Sequence, residues 1–183
     1  PLGMQTTGYR PLDRFPTERI APTECDNFYR KQQLIGYVHD ETACFFGGVQ
    51  GNAGLFSNAN DLAKLCQMWL NKGTYGNERI LSPKTVELFL TEKSSTSRRG
   101  LGFDKPDMEN PEKSPTAIEA SASTIGHLGF TGTCFWIDPE QELIYIFLCN
   151  RVYPSRTHDA LSQLNIRPEL FSTIYRSIKN HSK

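Results

Sequence analysis

Residues 124–139 have the sequence Thr124-Ile125-Gly126-His127-Leu128-Gly129-Phe130-Thr131-Gly132-Thr133-Cys134-Phe135-Trp136-Ile137-Asp138-Pro139. This run begins as a turn punctuated by glycine and ends in β-branched and aromatic residues, which predicts a strand. Glycines at 126, 129 and 132 leave the backbone bare around His127. Glycine weakens a strand unless something must approach the backbone closely. The stretch is therefore either a bulged or edge strand with a satisfied histidine, or a strand that a ligand approaches.

Length, charge and hydropathy limit the classes of protein that fit this chain. Its 183 residues suffice for one domain with a core, or for a large part of a longer domain. Twenty Lys and Arg residues balance twenty Asp and Glu residues, so no charge excess favours nucleic acid or an anionic membrane. The longest apolar run, Leu143 to Cys149, is too short to span a bilayer. We therefore expect no nucleic-acid partner and no membrane span.

The five cysteines indicate neither a disulfide framework nor a zinc cluster, because their number is odd and no pair has CxxC spacing. We expect most of them to be small buried hydrophobic residues, and we expect no metal and no cofactor. The cysteines are Cys25, Cys44, Cys66, Cys134 and Cys149.

The first part of the chain gives few periodic signals. Residues 1–35 are rich in proline and predict an irregular, solvated segment with Glu24 among its exposed charges. Residues 34–41 predict a short strand that ends in His39-Asp40-Glu41. These polar residues are either a strand end that turns into solvent or a set of ligand or acid–base groups, and the sequence does not decide between the two.

Two helices are predicted in the middle of the chain. A glycine-rich segment, 47–54, precedes cap residues at 57–61 and apolar residues spaced by three and four, which predicts a helix ending near Gly73. The segment lacks the GxxxxGK[ST] pattern, so we expect close packing there rather than phosphate binding. Ser82 and Pro83 are typical of the N-cap and first position of a second helix.

The second half of the chain predicts strands covered by a helix, and hence an α+β fold. Residues 99–104 resemble a short strand, and residues 105–123 predict an exposed excursion or a loop that shapes an opening. The apolar run 143–150 predicts a strand paired with residues 124–139 in an antiparallel hairpin. Apolar residues at helical spacing within 166–178 predict a terminal helix over one face of the hairpin.

Most catalytic motifs are missing from this sequence. It contains no GxSxG, no HExxH, no glycine-rich dinucleotide fingerprint and no Ser-x-x-Lys. Tyr75-Gly76-Asn77 matches Tyr-x-Asn formally, but its place in a turn between two helices indicates a chance match. The residues alone therefore identify no complete catalytic site.

Six phrases occur in a recognisable order along the chain. They are Pro1-Leu2-Gly3-Met4, Arg19-Ile20-Ala21-Pro22-Thr23-Glu24, Gly36-Tyr37-Val38-His39-Asp40-Glu41, Gly47-Gly48-Val49-Gln50-Gly51-Asn52-Ala53-Gly54-Leu55-Phe56-Ser57, Ile80-Leu81-Ser82-Pro83 and Gly126-His127-Leu128-Gly129-Phe130-Thr131-Gly132-Thr133. Together they resemble the C-terminal portion of the serine β-lactamase-like family, on the side of class C β-lactamases and penicillin-binding esterases. The likeness is greatest to envelope proteins of Bacteroides-like bacteria, in which such a domain can follow a family-three glycosidase.

The resemblance implies part of the β-lactamase/transpeptidase-like fold, with an antiparallel sheet, a C-terminal helix and a helical segment. Residues 1–97 would form the loop and helical segment, and residues 98–183 the sheet strands and terminal helix. The family's site has three motifs: Ser-x-x-Lys, Tyr-x-Asn or a variant, and Lys-Thr-Gly or His-x-Gly on the strand that lines the cleft. Only the third maps here, as His127-Leu128-Gly129, and the other two are expected upstream of residue 1.

The resemblance also assigns expected roles to single residues. His127 would orient the substrate or tune the proton of the tyrosine, and Gly129 would let the substrate lie along the strand. The backbone N–H of Phe130 matches the family position that donates to the oxyanion. The residues expected to border the substrate are Leu128, His39 and Asp40.

Three functions remain open at this point. The first is a serine hydrolase that forms an acyl-enzyme on an ester, amide or β-lactam, with this chain inactive alone because it lacks the nucleophile. The second is a non-catalytic packing or interaction module appended to a glycosidase-type envelope protein. The third is a metallohydrolase using His39, Asp40, His127 and His158, which is disfavoured because no pair has the i, i+4 spacing of ligands on one helix face.

The resemblance also implies partners and a location. The expected partners are a small-molecule or peptidoglycan-like acyl substrate and the missing N-terminal part of the same domain. The expected location is the bacterial periplasm or cell envelope. Without the missing part, the hairpin should expose an unpaired strand edge and apolar surface, so we expect partner association or poor solubility.

Overall fold

The chain folds as an α+β structure, and the computed structural model describes residues 1–91 and 94–181. Its strands are β1 (Pro22–Asp26), β2 (Gln32–Ile35), β3 (Thr74–Tyr75), β4 (Glu78–Arg79), β5 (Ile125–Leu128), β6 (Cys134–Asp138) and β7 (Leu143–Phe147). Its helices are α1 (Glu41–Phe45), α2 (Ala59–Leu70), α3 (Pro83–Thr91), α4 (Ala160–Gln163) and α5 (Ile166–His181). Short 3₁₀ turns lie at Pro11–Asp13, Thr17–Arg19 and Pro111–Lys113.

The central sheet has three antiparallel strands in the order β5-β6-β7. Strand β6 pairs with β7 along its whole length, from Cys134 opposite Phe147 to Asp138 opposite Leu143. This pairing confirms the hairpin predicted between the two apolar runs. Among the residues that the structure describes, β7 has no second neighbouring strand, so its outer edge is unpaired.

Both faces of this sheet are covered, because side chains alternate between them along each strand. On one face, Trp136 and Tyr145 pack against α5. The ring of Phe171 in α5 stacks on Tyr145 with the centroids 4.5 Å apart. The other face packs against α2 and α3 through Ile125, Ile137, Cys66, Phe103, Trp69 and Phe89. The terminal helix therefore covers one face of the hairpin, as predicted.

The stretch 124–139 is a second hairpin and not the single strand that its composition predicts. Strand β5 pairs antiparallel with β6, and residues 129–133 form the turn between them. Gly132 in this turn has a φ of +116°, a backbone conformation that favours glycine. Part of the glycine pattern therefore builds a turn between two paired strands.

The first 35 residues are more ordered than their composition predicts. Strands β1 and β2 form an antiparallel hairpin. The hairpin is held from outside by the segment after β7, where the carbonyl of Pro154 accepts from the N–H of Cys25 at 2.9 Å. The prediction of a strand at residues 34–41 is wrong, because β2 ends at Ile35 and Asp40 caps the start of α1.

Helices predicted from local signals are confirmed. Asn58 caps α2 by accepting from the N–H of Asp61 at 2.8 Å, and Gly73 follows α2 with a φ of +91°. Ser82 Oγ accepts from the N–H of Thr85 at 3.0 Å at the start of α3. Helix α5 also lies where the apolar spacing predicts it.

The segment before β5 differs from its prediction. The strand predicted at residues 99–104 is reduced to one bridge, in which Asp104 and Gly126 exchange backbone hydrogen bonds of 2.7 and 3.1 Å. The excursion predicted at residues 105–123 is not exposed throughout. Ala117 and Ala120 are buried in the core cluster that also contains residues of α5, because their small side chains allow close packing.

Acid should release the N-terminal segment from α2, because Asp61 holds it. The buried carboxylate accepts from Thr6 N–H at 2.8 Å and from Thr6 Oγ at 2.7 Å. Burial raises its pKa, but these hydrogen bonds outweigh burial and lower it from 3.8 to about 2. A lowered pKa means that the contact stabilises the fold above about pH 4 and is lost as the pH falls toward 2.

The Thr6 amide resonance reports this contact directly in an NMR titration. We expect it to shift between about pH 4 and pH 2 in the wild type and to lose that step in Asp61→Asn. A step of the same size in Asp61→Asn would assign the effect to another carboxylate.

Candidate functional site

His127 lies in β5, and each of its two ring nitrogens contacts a polar atom of another residue. Nδ1 lies 2.8 Å from the carbonyl oxygen of Leu128, which only accepts, so Nδ1 carries the proton. Nε2 lies 3.1 Å from a terminal guanidinium nitrogen of Arg99, which only donates, so Nε2 is unprotonated. These two contacts therefore favour the tautomer that carries its proton on Nδ1.

The outer edge of β5 is open beyond Gly126. The N–H and C=O of Gly126 point away from β6 and toward Asp104. Those of Leu128 point the same way, because backbone groups alternate along a strand. The contact with Asp104 is an isolated bridge, and no strand in the described part of the chain continues it. The N–H of Leu128 is therefore available to an extended ligand, whereas its C=O already accepts from Nδ1 of His127.

Phe130 follows Gly129 in the turn after β5, and it is 63% exposed. The N–H of Gly129 is occupied, since it donates to the carbonyl of Thr133 at 2.7 Å. The N–H of Phe130 has no acceptor among residues 1–91 and 94–181. One free backbone donor therefore lies at the end of the strand that carries His127.

The ring of Phe130 is held between a histidine and an arginine. The ring of His39 lies with its centroid 5.3 Å from that of Phe130. The guanidinium of Arg151 lies 4.4 Å from the Phe130 centroid, and its Nε donates to the Phe130 carbonyl at 2.8 Å. The structure thus brings His39, predicted as a neighbour of the cleft, into contact with the predicted oxyanion residue.

A buried ion network centred on Glu24 lies next to His39. Glu24 is 2% exposed, so the prediction that it is solvated was wrong. Arg156 donates to both oxygens of Glu24, from Nε at 2.7 Å and from a terminal nitrogen at 2.8 Å. Its other terminal nitrogen donates to Glu41 at 2.7 Å. Nε2 of His39 lies 3.1 Å from Glu24, within ion-pair distance but outside hydrogen-bond geometry.

Hydrogen bonding and burial set the charges of this network. The hydrogen bond from Arg156 holds the pKa of Glu24 below its usual value, against the effect of burial. The same hydrogen bond raises the pKa of Arg156. Burial lowers the pKa of His39 and outweighs the attraction of Glu24. The ion pair is therefore fully charged at neutral pH, and His39 is neutral beside it.

Asp40 and Leu128 take part in local structure. One carboxylate oxygen of Asp40 accepts from the N–H of Ala43 at 2.7 Å and so caps α1. The side chain of Leu128 is partly buried against the core cluster under α5. Leu128 also borders a shallow hollow whose lining includes Gly129, Phe130 and Arg151. Of the three residues expected to border the substrate, His39 and Leu128 thus lie at the turn after β5.

Two kinds of feature are absent from the described residues. Within residues 1–91 and 94–181, no group of three or more His, Cys, Asp or Glu side chains is placed to hold a metal ion. The set His39, Asp40, His127 and His158 therefore forms no metal centre in the structure. In the same ranges, no helix has both the length and the apolar character that a membrane crossing requires.

Four charged residues of this region were missed by sequence reasoning. Arg99 reaches His127 across 28 positions, and Arg156 reaches Glu24 across 132 positions. No local pattern predicts pairing at such separations. One sequence signal pointed to this network: His39 and Glu41 lie in the same family-like phrase, residues 36–41, and both side chains contact the network. The missed residues are Glu24, Arg99, Arg151 and Arg156.

Comparisons with known proteins identify the family of this chain. A family model described as Beta-lactamase matches residues 1–166. Two relatives, from Salmonella paratyphi B and Salmonella newport, are each 36% identical over 184 residues and are described as putative D-alanyl-D-alanine carboxypeptidases. These alignments cover 93% of this chain and 41% of each relative. The chain thus spans about two fifths of the length of the curated relatives it matches.

Two solved structures are similar over part of the chain. A β-lactamase from Mycobacterium bovis is 20% identical with a TM-score of 0.43, over 61% of this chain and 46% of that one. A putative β-lactamase from Bacteroides dorei is 18% identical with a TM-score of 0.41, over 65% and 41%. The family match is the decisive comparison. This chain belongs to the β-lactamase family, a family of serine hydrolases with the β-lactamase/transpeptidase-like fold.

Proposed function

We propose that this chain supplies one wall of the active site of a serine hydrolase that forms an acyl-enzyme on an ester, amide or β-lactam. The observation that carries the proposal is the free N–H of Phe130 at the open end of β5, three residues after His127. The Ser-x-x-Lys and Tyr-x-Asn motifs would come from chain outside these 183 residues. The coverage of only 41% of the Salmonella relatives supports this division.

The proposed reaction passes through an oxyanion intermediate and an acyl-enzyme. The serine oxygen bonds to the carbonyl carbon of the substrate while its proton passes to the lysine of Ser-x-x-Lys, and the C=O electron pair moves onto the substrate oxygen; this proton later goes to the leaving group. The N–H of Phe130 then donates to this oxyanion. The carbonyl re-forms as the leaving group departs with a proton, and water hydrolyses the acyl-enzyme. The open edge of β5 would meanwhile hold the substrate backbone as an added strand.

Contacts around Phe130 support this role. An oxyanion donor acts only when it is held in a narrow range of positions, because its hydrogen bond must strengthen as charge develops. Arg151 holds the carbonyl and ring of Phe130, and His39 packs on the same ring. The ion pair between buried Glu24 and partly exposed Arg156 in turn fixes the surroundings of His39.

The substrate that we propose is a small-molecule or peptidoglycan-like acyl compound, acted on in the bacterial periplasm or cell envelope. The description of the Salmonella relatives as putative D-alanyl-D-alanine carboxypeptidases supports this class. The unpaired edge of β7 would receive a strand from the rest of the same domain.

The first test compares this chain with a longer protein that also carries the Ser-x-x-Lys segment. We expect no turnover of nitrocefin or of a nitrophenyl ester by the 183 residues alone, because the nucleophile is missing. The longer protein should give a burst of acyl-enzyme. Turnover by the short chain that His127→Ala abolishes would overturn the proposed division. A longer protein without acyl-enzyme would favour a packing or interaction module.

Matched substitutions at Phe130 test the oxyanion donor in the longer protein. Phe130→Ala keeps the backbone N–H and removes the ring, whereas Phe130→Pro removes both. We expect kcat to be about 100-fold lower in Phe130→Pro than in Phe130→Ala, because one oxyanion donor is lost. Equal rates in the two variants, with matching circular dichroism spectra, would exclude this N–H as the donor.

A further inference from the structure

Phe130 is exposed, so its position depends on the few side chains that reach it. The ring of His39 lies with its centroid 5.3 Å from the Phe130 centroid, and the two planes are tilted by 34°. Arg151 contacts the same ring and donates to the Phe130 carbonyl. A change at either residue should therefore move the backbone of Phe130, including the N–H that we propose as the oxyanion donor.

His39 is itself held firmly and is turned away from solvent. Its carbonyl accepts from a terminal nitrogen of Arg30 at 2.7 Å, and the next residue, Asp40, caps α1. Nε2 of His39 is buried and lies 3.1 Å from Glu24. The side chain is only 9% exposed. An imidazole enclosed in this way has little surface for a substrate, but it can fix the position of the ring that packs on it.

The two contacts on Phe130 both lead back to Glu24. On one side, Glu24 lies beside His39. On the other side, Arg156 binds Glu24 at 2.7 Å, and the Arg156 carbonyl accepts from Arg151 at 3.3 Å. The five residues thus form a closed ring of contacts around one buried carboxylate. His39 is the member of this ring that a substitution can remove while the ion pair between Glu24 and Arg156 is kept.

We propose that His39 is a positioning residue, which acts on the reaction through the ring of Phe130 and makes no contact with the substrate. This inference deepens the proposed function and rests on it. An oxyanion donor stabilises the transition state only when it is held within a narrow range of positions. Loss of the His39 ring should therefore lower kcat for every substrate, whereas loss of a substrate contact would change KM or the preference among substrates.

Kinetics of the longer protein test this role with nitrocefin and a nitrophenyl ester. We expect His39→Ala to lower kcat about tenfold for both substrates and to leave KM within about twofold. His39→Phe keeps a ring against Phe130 and should recover most of the loss. The control His158→Ala, which removes an exposed imidazole, should retain the wild-type kcat.

A double-mutant cycle decides whether His39 acts through Phe130. In the Phe130→Ala background the ring is already absent, so adding His39→Ala should lower kcat no further. A tenfold loss in both backgrounds would contradict the proposal, as would a change of KM for one substrate alone. Absence of acyl transfer in the wild-type longer protein would reject the proposed function instead.

An NMR titration of the 183-residue chain tests the contact without any activity. The charged groups around His39 are Glu24 of β1, Glu41 of α1 and Arg156 after β7. Burial lowers the pKa of His39 from 6.5, and Glu24 opposes this effect by attracting the proton. As the pH falls below 6.5, we expect the Phe130 amide resonance to shift in parallel with the ring resonances of His39.

Two variants show whether this shift comes from His39. His39→Phe should abolish the shift, because phenylalanine takes up no proton. Glu24→Gln should move it to lower pH, because the attraction of the carboxylate is lost. A Phe130 amide that does not follow the titration of His39, or an unchanged shift in His39→Phe, would overturn the proposed coupling even if the longer protein forms an acyl-enzyme.

Discussion

We expect Arg156→Ala to lower the free energy of unfolding by about 3–5 kcal/mol, because it leaves a buried carboxylate without its cation. Arg156 contacts both oxygens of Glu24, at 2.7 and 2.8 Å, and Glu24 is only 2% exposed. The alanine variant would leave Glu24 next to a neutral His39. Urea unfolding followed by circular dichroism measures the loss directly.

The sign of the pH dependence separates this mechanism from lost packing. In the wild type, the pKa of Glu24 lies below its usual value, so its ionised form stabilises the fold above that value and the contribution is lost in acid. Without Arg156, burial is the largest remaining effect on the pKa of Glu24, and it favours the protonated acid. The difference between variant and wild type should therefore shrink as the pH falls from 7 to 4. Adding Glu24→Gln to Arg156→Ala should recover part of the loss.

Arg10→Ala is the matched control, because Arg10 pairs with Asp13 at 3.0 Å while both side chains are more than half exposed. We expect a loss of less than about 1 kcal/mol for this surface pair. A similar small loss for Arg156→Ala, or a large loss that does not vary with pH, would contradict the buried-charge explanation.

The sequence predictions that the structure confirms rest on local sequence signals. The bounds of α2 and α3 follow from cap residues and from apolar spacing within one helix, such as Asn58 before α2 and Ser82 before α3. The pairing of β6 with β7 follows from two apolar runs joined by a short polar turn. Each of these features depends on residues that are close in sequence, so the sequence alone contains the information.

Predictions failed where the partner is distant in sequence. Glu24 resembles any solvated acid of a proline-rich segment, and only Arg156, 132 positions later, makes its burial possible. The hydrogen-bond partner of His127 Nε2 is likewise Arg99, 28 positions earlier, so the motif His-x-Gly cannot reveal it. The family resemblance located the strand of the site, but the charges around it depend on tertiary contacts that no motif records.

Packing against the neighbouring strand, and not the approach of a ligand, explains why position 126 is a glycine. A Cβ at this position would lie 2.1 Å from the carbonyl oxygen of Phe135 and 2.5 Å from the ring of Trp136. Both atoms belong to the neighbouring strand β6, and neither can move without opening the sheet. At Gly129, a Cβ would first meet Thr133 Oγ at 2.5 Å, a side-chain atom that can rotate away. Of these two glycines, only Gly126 is therefore required by the fold.

We accordingly expect Gly126→Ala to destabilise the chain by about 3 kcal/mol, because it forces β5 away from β6. The same displacement should break the contact of 3.1 Å between Arg99 and His127 Nε2, so the side-chain resonances of His127 should shift. Urea unfolding followed by the fluorescence of buried Trp136 gives the energy, and the ¹⁵N spectrum gives the local effect.

Gly51→Ala is the control for a glycine on an open surface, since a Cβ there meets nothing within 4 Å. We expect its stability to remain within about 1 kcal/mol of the wild type, with any change toward higher stability because alanine restricts the unfolded chain. Gly129→Ala should cost less stability than Gly126→Ala, because the Thr133 hydroxyl that its Cβ would meet can rotate away. If Gly126→Ala were as stable as Gly51→Ala, a side chain at position 126 would cost no stability. The packing explanation for Gly126 would then be wrong, and the approach of a ligand would explain this glycine instead.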